Sequence, residues 1–276
     1  MHTIQSHQRD ISLAHLSLIE SEPAGFIQIA SRAGFGLVDL RLSPATAIDR
    51  VYTSQERDQL CRELMPILQD TGLRVWDVEI IRINNRTRPT DHLPLLEAAA
   101  VLGARRVKVV CDVEDQSLIA GKLADLCELS APFGLTIDLE YMVFSGVKSL
   151  QAAIEVIHTA RQPNLQVLVD TLHWMRAGDT LAQIAAALPD LGYIQLCDGP
   201  FEAPIGPDLL IQEARTRRLP PGEGQFPLVS LLRAMPAHCV ISVEVPLPPG
   251  RSAQVHAQHL LRATRAVIQE NQETSL

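Results

Sequence analysis

The sequence predicts a single-domain α/β protein that folds as a (β/α)8 barrel across residues 1–276, with an ordered core of about residues 11–270. Short β-branched segments alternate with helix-length amphipathic segments over nearly the whole chain, as parallel strands joined by helical crossovers require. Eight such pairs fit within about 250 residues, the usual size of this barrel. Glycines follow several of the helical segments, where a helix ends before the next strand begins.

Each predicted strand is a short run dominated by Val, Ile and Leu, because the strands of a parallel barrel are buried on both faces. In chain order the eight strands are Ile11–Leu16, Leu37–Arg41, Val75–Ile81, Arg106–Asp112, Leu135–Glu140, Gln166–Asp170, Tyr193–Cys197 and Val240–Val245.

The predicted helices follow the strands and carry apolar residues at the spacing of one helix face. They are Pro23–Ala33, Ser54–Thr71, Leu93–Leu102, Gln116–Ser130, Ser149–Ala160, Leu181–Leu188, Leu228–Ala234 and Ala253–Gln269. Gly34, Gly72, Gly103 and Gly134 stand at or shortly after the ends of the first four helices. Glycine adopts the left-handed conformation that commonly ends a helix.

One segment interrupts the alternation after the seventh strand. Residues Gly199–Pro227 are rich in Pro and Gly, and only Pro207–Arg217 carries a helical pattern. The loops that follow the strands of such a barrel form its catalytic face. We therefore expect this segment beside the functional site.

Charge and composition exclude several classes of function. Lys and Arg number 24 against 32 Asp and Glu, for a net charge of −8, so a nucleic acid is not an expected partner. No apolar run approaches the roughly 20 residues that span a bilayer, so no membrane partner is expected. The five cysteines are odd in number and contain no CxxC pair, which is typical of a reduced, cytoplasmic protein.

Four consecutive predicted strands end in polar side chains. These are Glu140, Asp170, Gln195 and Glu244, on the fifth to the eighth strands. Side chains alternate along a strand, so these four point into the barrel when their apolar neighbours point outward. The carboxyl ends of all strands meet at one mouth of the barrel, and we expect the four side chains to lie together there.

Three carboxylates and an amide at one barrel mouth require a positive charge between them. One divalent metal ion supplies that charge. Oxygen ligands favour Mg2+ or Mn2+, with Zn2+ or Co2+ as the alternatives. The competing interpretation is that the four residues are ordinary solvated strand ends.

Two further motifs accompany this set. They are Asp170-Thr171-Leu172-His173 after the sixth strand and Leu219-Pro220-Pro221-Gly222-Glu223-Gly224 in the long segment. Together with the four strand ends they resemble the xylose isomerase-like TIM barrels, which include sugar isomerases, ketose 3-epimerases, inosose dehydratases and 3-dehydroshikimate dehydratases. The resemblance covers essentially the whole chain. It implies that the four strand-end residues bind the metal, that Glu140 and Glu244 act as acid and base, and that His173 contacts the substrate. A homodimer or homotetramer is also expected on this resemblance.

Other charged side chains are candidates for substrate binding. They are Arg41, Glu79, Lys108, His173, Arg176, Arg217 and Arg218. A guanidinium group binds a carboxylate or phosphate through two hydrogen bonds, although a solvated arginine is the simpler interpretation. Lys108 is expected to face the barrel interior, either toward a substrate or as the buried partner of a carboxylate. His173 either acts on the substrate as a base or is an ordinary loop residue.

The expected function is isomerisation or epimerisation of a small sugar, sugar acid or keto acid. A metal that polarises a carbonyl acidifies the neighbouring C–H bond, and a carboxylate or histidine removes the proton to give an enediolate. The alternative is a dehydratase of an inosose or a 3-dehydroshikimate-like ring. A third hypothesis is a sugar-binding barrel without catalytic activity.

Overall fold

The computed structural model describes residues 9–46 and 50–273, and in it eight parallel strands close into a barrel in sequence order. The strands are β1 (Ile11–Ala14), β2 (Leu37–Arg41), β3 (Arg74–Ile83), β4 (Arg106–Cys111), β5 (Thr136–Glu140), β6 (Leu165–Asp170), β7 (Leu191–Leu196) and β8 (Ile241–Val243). Pairing of Ile11 with Ile241 joins β1 to β8 and closes the cylinder. The predicted (β/α)8 fold is confirmed.

Ten α-helices lie among the described residues. They are α1 (Pro23–Ala33), α2 (Ser54–Thr71), α3 (Leu93–Val101), α4 (Gln116–Ser130), α5 (Leu150–Ala160), α6 (Thr171–Ala177), α7 (Leu181–Ala187), α8 (Pro207–Thr216), α9 (Leu228–Ala234) and α10 (Ala253–Glu273). Most of the predicted helices begin and end within one residue of these bounds. None of the helices in residues 9–46 and 50–273 combines the length and the apolar character that crossing a bilayer requires.

Helix α6 is absent from the helices that the sequence predicts, since the residues after Asp170 show no helical pattern. The Asp170 side chain caps this helix, because its Oδ1 accepts hydrogen bonds from the backbone N–H groups of Leu172 at 2.8 Å and His173 at 3.3 Å. Such a cap satisfies donors that have no partner within a helix. His173 therefore lies in the first turn of a helix and not in a loop. A seven-residue helix is too short to show a clear apolar period.

The apolar core fills the layer between the barrel and its helices. Strand residues expected to point outward, such as Leu139, Val169 and Val243, are fully buried in this layer. Each such side chain contributes about 1.5–3 kcal/mol through removal of apolar surface from water.

The interior of the barrel is polar instead. Asp39 accepts a hydrogen bond from Ser12 Oγ at 2.6 Å and another from the Ser242 hydroxyl, and all three residues are fully buried. Tyr193 Oη donates to Asp77 Oδ2 at 2.6 Å. Burial, reinforced by the nearby Glu79 carboxylate, raises the pKa of Asp39 to about 7.

We predict that Gly192→Ala destabilises the protein, because Gly192 on β7 leaves room for a buried ion pair between Arg106 and Asp138. Their charged atoms lie 2.6 Å apart. A Cβ at residue 192 would lie 2.1 Å from Asp138 Oδ1 and 2.5 Å from Arg106 Nη1. The free energy of unfolding, measured in urea, should fall by about 3 kcal/mol.

The matched control is Gly121→Ala in α4, where an added Cβ meets nothing within 4 Å and the residue is exposed. This variant should be stabilised by about 0.5–1 kcal/mol, because alanine restricts the unfolded chain and favours a helix. Equal losses of stability in the two variants would contradict the role given to Gly192.

A second prediction concerns Asp39→Asn. The pKa of the Asp39 carboxyl is 3.8 in its ordinary state and about 7 in the fold, so the folded state binds an extra proton between these values. Its stabilising contribution is complete below pH 3.8 and is lost as the pH rises through 7. Asparagine stays neutral, so the stability of the variant relative to the wild type should increase over this range and then remain constant. Denaturant unfolding at a series of pH values measures the difference, and a difference that does not change with pH would refute the assignment.

Candidate active site

The four strand-end residues lie together at the carboxyl-terminal mouth of the barrel. Glu140 and Asp170 are the last residues of β5 and β6, Gln195 lies one residue before the end of β7, and Glu244 follows β8 directly. Asp170 and Gln195 are neighbours in the sheet register. All four side chains are buried, so they are not solvated strand ends.

Three donor groups converge on one point in this mouth. Glu140, Asp170 and His173, here called the donor trio, each offer an atom within 4.8 Å of the atoms of the other two. His173 Nε2 lies 3.9 Å from Glu140 Oε1. His173 lies in the first turn of α6, and Asp170 caps the same helix, so the two residues are close together. Two carboxylates and an imidazole are a suitable donor set for a divalent transition metal.

Burial shifts the pKa values of two members of the donor trio, Glu140 and His173. Burial raises the pKa of Glu140 to about 8, and the nearby Glu244 and Asp170 carboxylates add to this effect. Burial also lowers the pKa of His173 to about 4, so the imidazole is neutral at pH 7. Glu140 Oε1 and His173 Nε2 lie 3.9 Å apart, beyond hydrogen-bond length, and His173 Nδ1 has no hydrogen-bond partner among the described residues. These groups are therefore open to a ligand.

Gln195 and Glu244 are held by a buried ammonium group. Lys108 Nζ, on β4, lies 3.2 Å from Gln195 Oε1 and 3.3 Å from Glu244 Oε1. Gln195 Nε2 donates to the same Glu244 oxygen at 3.1 Å. Lys108 thus faces the barrel interior, as its strand parity predicts, and it is buried among carboxylates.

Arg218 joins the two sides of the mouth. Its Nη1 lies 2.5 Å from Asp170 Oδ2, and its Nη2 lies 3.0 Å from Glu244 Oε2. Burial opposes ionisation of Glu244, but Lys108 and Arg218 outweigh it and lower the pKa of this carboxyl to about 2. The pKa values of the two glutamates of one site are therefore shifted in opposite directions.

A fixed loop holds Arg218 at this position. The Asp198 carboxylate accepts hydrogen bonds from the backbone N–H groups of Gly199, Gly222 and Phe226, at 2.8, 3.0 and 2.9 Å. Three backbone donors on one carboxylate tie the Pro-Gly-rich loop to the end of β7. A side chain at Gly224 would lie 2.3 Å from Asp198 Oδ1, which explains the glycine there.

The charge network continues from Lys108 toward β2. Glu79 Oε1 lies 3.5 Å from Lys108 Nζ, and Glu79 Oε2 accepts hydrogen bonds from Arg41 Nη2 at 2.7 Å and Nε at 3.2 Å. Arg41 also borders a cavity of about 360 Å³ that is lined by His15, Ser21, Ser43 and Tyr52 among others. The structure thus joins Arg41 and Glu79 to the site through Lys108.

Arg176 and Arg217 are not joined to this network by any contact among the described residues. Arg176 forms two hydrogen bonds with the Glu213 carboxylate, at 2.8 and 2.6 Å. It also donates to the backbone carbonyls of Pro200 and Phe201, at 2.8 and 3.2 Å. Its contacts fasten the loop after β7 to α8. Arg217 is exposed just after α8.

An apolar cluster caps the mouth at the ends of β3 to β5, and the sequence patterns do not predict it. It consists of Ile80, Val110 and Met142. Phe144 packs against this cluster and, edge-on, against the His173 ring at a centroid distance of 5.5 Å. The sequence does carry a signal for it, because the apolar residues Val110 and Met142 stand two positions after Lys108 and Glu140, respectively. Through Phe144 the cluster borders the side of the mouth that carries His173.

A comparison with protein-family models agrees with this fold and site. A model of the xylose isomerase-like TIM barrel family matches residues 27–267, and the chain belongs to that family. The resemblance found in the sequence is confirmed.

Individual relatives give narrower comparisons. The inosose isomerase of Bacillus subtilis (strain 168) is 25% identical in a 169-residue alignment that covers 56% of this chain and 59% of that protein. A solved fusion protein of a xylose isomerase-like TIM barrel with a 4-hydroxyphenylpyruvate dioxygenase has a TM-score of 0.78 and 20% identity, over 96% of this chain and 43% of that chain. The crystal structure of the IOLI protein with a zinc atom has a TM-score of 0.77 and 18% identity, over 95% and 99% of the two chains. This chain thus spans less than two thirds of the first two proteins, and the structural matches establish the fold.

The contacts of Arg176 predict a structural role that a double variant can separate from substrate binding. Arg176→Met alone should lower the free energy of unfolding by about 3–5 kcal/mol, because it leaves the buried Glu213 carboxylate without its partner. Arg176→Met with Glu213→Leu should recover most of that loss. Denaturant unfolding and activity are measured for both. A stable double variant that has lost substrate affinity would instead assign Arg176 to the substrate.

Proposed function

We propose that the protein is a divalent-metal-dependent isomerase or epimerase of a small sugar, sugar acid or keto acid. The observation that carries this proposal is the donor trio, which lies beside a second glutamate in one buried barrel mouth. The inosose isomerase relative supports the isomerase class, since its name describes the same kind of reaction on a polyhydroxylated ring ketone.

The residues present fit a divalent cation. Glu140 Oε1 lies 3.9 Å from His173 Nε2, beyond hydrogen-bond length, and His173 Nδ1 is buried without a partner among the described residues. Carboxylate oxygens suit Mg2+ and Mn2+, and an imidazole nitrogen also suits Mn2+, Zn2+ and Co2+. The zinc atom in the IOLI structure supports this range of metals. When bound, the cation would polarise a substrate carbonyl and stabilise the negative charge that develops on its oxygen.

The chain's own residues supply the proton transfer. Glu140 and Glu244 project from different strand ends, and their surroundings shift their pKa values in opposite directions, as in a paired acid and base. One carboxyl can donate a proton while the other accepts one from a substrate carbon between them. Arg218, which pairs with Asp170 and Glu244, would orient a hydroxyl or carboxylate oxygen of the substrate. The apolar cluster and Phe144, which contacts the His173 ring, would help to exclude water from the reacting atoms.

The fate of the proton decides the product. Its return to the opposite face of the same carbon epimerises the substrate, and its delivery to the neighbouring carbon isomerises it. Loss of a β-hydroxyl group would give dehydration, which the same acid–base pair can also perform. Dehydration creates a conjugated product with strong ultraviolet absorbance, so one assay separates the lyase from the isomerase and epimerase.

We predict that Glu140→Gln abolishes proton exchange while the barrel stays folded, because glutamine cannot transfer a proton. The measurement is deuterium wash-in from heavy water into a panel of keto-sugars, inososes and short keto acids, with Mn2+ present. The rate should fall by about 10²- to 10⁴-fold, the usual contribution of a general acid or base.

Glu128→Gln, on the exposed face of α4, is the matched control and should exchange at the wild-type rate. Removal of the metal with a chelator should also stop the exchange, and Mn2+ should restore it. Full exchange by Glu140→Gln, or by the protein after exhaustive chelation, would overturn the proposed function.

A further inference from the structure

We propose that helix α8 and the loop before it form an interface with a second copy of this chain. The surface concerned, here called the α8 face, is the solvent side of residues 201–216. A twofold axis relates the two copies, and their α8 helices run antiparallel across the contact. None of these residues belongs to the donor trio, so the contact does not depend on the proposed function.

The α8 face exposes three large apolar side chains. Ile205 is 92% exposed and Phe201 is 66% exposed, and Leu209 is exposed in the first turn of α8. Seven large apolar side chains are exposed in residues 9–46 and 50–273, and these three stand within nine consecutive residues. Exposed apolar surface that is gathered in one segment marks a site of protein–protein contact, whereas single scattered side chains need no explanation.

The backbone that carries these side chains is held in place. Arg176 Nη1 donates to the backbone carbonyl of Phe201 at 3.2 Å, and Gln225 Oε1 accepts from the Phe201 N–H at 3.0 Å. The same Arg176 guanidinium forms two hydrogen bonds with the Glu213 carboxylate on the inner side of α8. One guanidinium group therefore joins the loop to the helix. Because the surface is already ordered, docking of a partner costs little conformational entropy.

Helix α8 presents one stripe of side chains to solvent. Glu213 and Ala214 are buried, whereas Asp208 and Arg215 are exposed. Residues seven apart lie on the same side of an α-helix, about 10 Å from each other along its axis. Asp208 and Arg215 therefore stand at the two ends of one exposed stripe, with Leu209 next to Asp208.

The charges of this stripe are self-complementary. No described residue forms an ion pair with Asp208 or Arg215. When two copies of α8 run antiparallel about an axis that passes between residues 211 and 212, Asp208 faces the partner's Arg215. Symmetry makes the same pair a second time. Opposite charges at the rim of an apolar contact fix its register and select the partner, so this pattern favours a second copy over an unrelated protein.

The experiment measures the mass of the protein in solution by sedimentation equilibrium over a range of micromolar concentrations. The wild type should be a dimer. Asp208→Arg and Arg215→Asp should each raise the dimer Kd at least about tenfold, because attraction at both symmetric pairs becomes repulsion. An equimolar mixture of these two variants should form a dimer whose Kd is within about threefold of the wild-type value, because both pairs are then attractive again.

A second pair of variants tests the apolar part of the contact. Ile205→Ser should raise the dimer Kd at least about tenfold, because it removes a buried apolar side chain from each copy. Val101→Ser is the matched control, since Val101 is an exposed apolar residue on α3, and it should leave the Kd unchanged. All four substitutions are at exposed residues, and circular dichroism checks that each variant is folded.

A wild type that is monomeric at every concentration would overturn the inference. A dimer whose Kd is unchanged by Ile205→Ser and by both charge variants would also overturn it, because its interface would then lie elsewhere. So would a mixture of the two charge variants that stays monomeric, since the antiparallel arrangement predicts their association. A wild-type tetramer that Ile205→Ser reduces to a dimer would support the α8 face as one of two interfaces.

Discussion

Charge balance in the dry mouth of the barrel is the constraint on which the rest of the structure depends. Carboxylates from β3, β5, β6 and the end of β8 meet there with almost no access to water. An unpaired buried carboxylate is either costly or protonated. Lys108 and Arg218 neutralise part of this charge, and they do so unevenly. Lys108 pairs with Glu244, and Arg218 pairs with both Asp170 and Glu244, whereas no Lys or Arg among the described residues forms an ion pair with Glu140.

The scaffold places these two cations by different means. Lys108 lies on β4, and its position follows from the alternation of side chains along this strand. Arg218 stands in a loop, and its position depends on the Asp198 carboxylate, which ties that loop to the end of β7. Asp170 has a double role, since it caps α6 and also accepts from Arg218. The same side chain therefore caps the start of α6 and takes part in the ion pairs of the site.

Unequal compensation also gives the two glutamates different chemistry. Two cations lower the pKa of Glu244, whereas burial raises the pKa of Glu140 even though Lys108 opposes this shift. A site that holds one acid and one base over a polarised carbonyl suits proton transfer to or from carbon. Isomerases, epimerases and dehydratases share this step and differ in the fate of the intermediate. The fold and the charges support the shared step, while the surroundings of the substrate determine the product.

The sequence by itself determined the barrel, because the alternation of strands and helices is a local property of the chain. The glycines that end several helices are also a local property. It also determined that four polar residues share the barrel mouth, since strand parity is a short-range rule. It could not show that α6 begins immediately after Asp170, because seven residues are too few to reveal the spacing of apolar residues that is typical of a helix. The pairing of Lys108 with Gln195 and Glu244, and of Arg218 with Asp170, was decided only by the tertiary structure. These partners lie 48 to 136 residues apart, and electrostatic compensation depends on distances in space that no local pattern encodes.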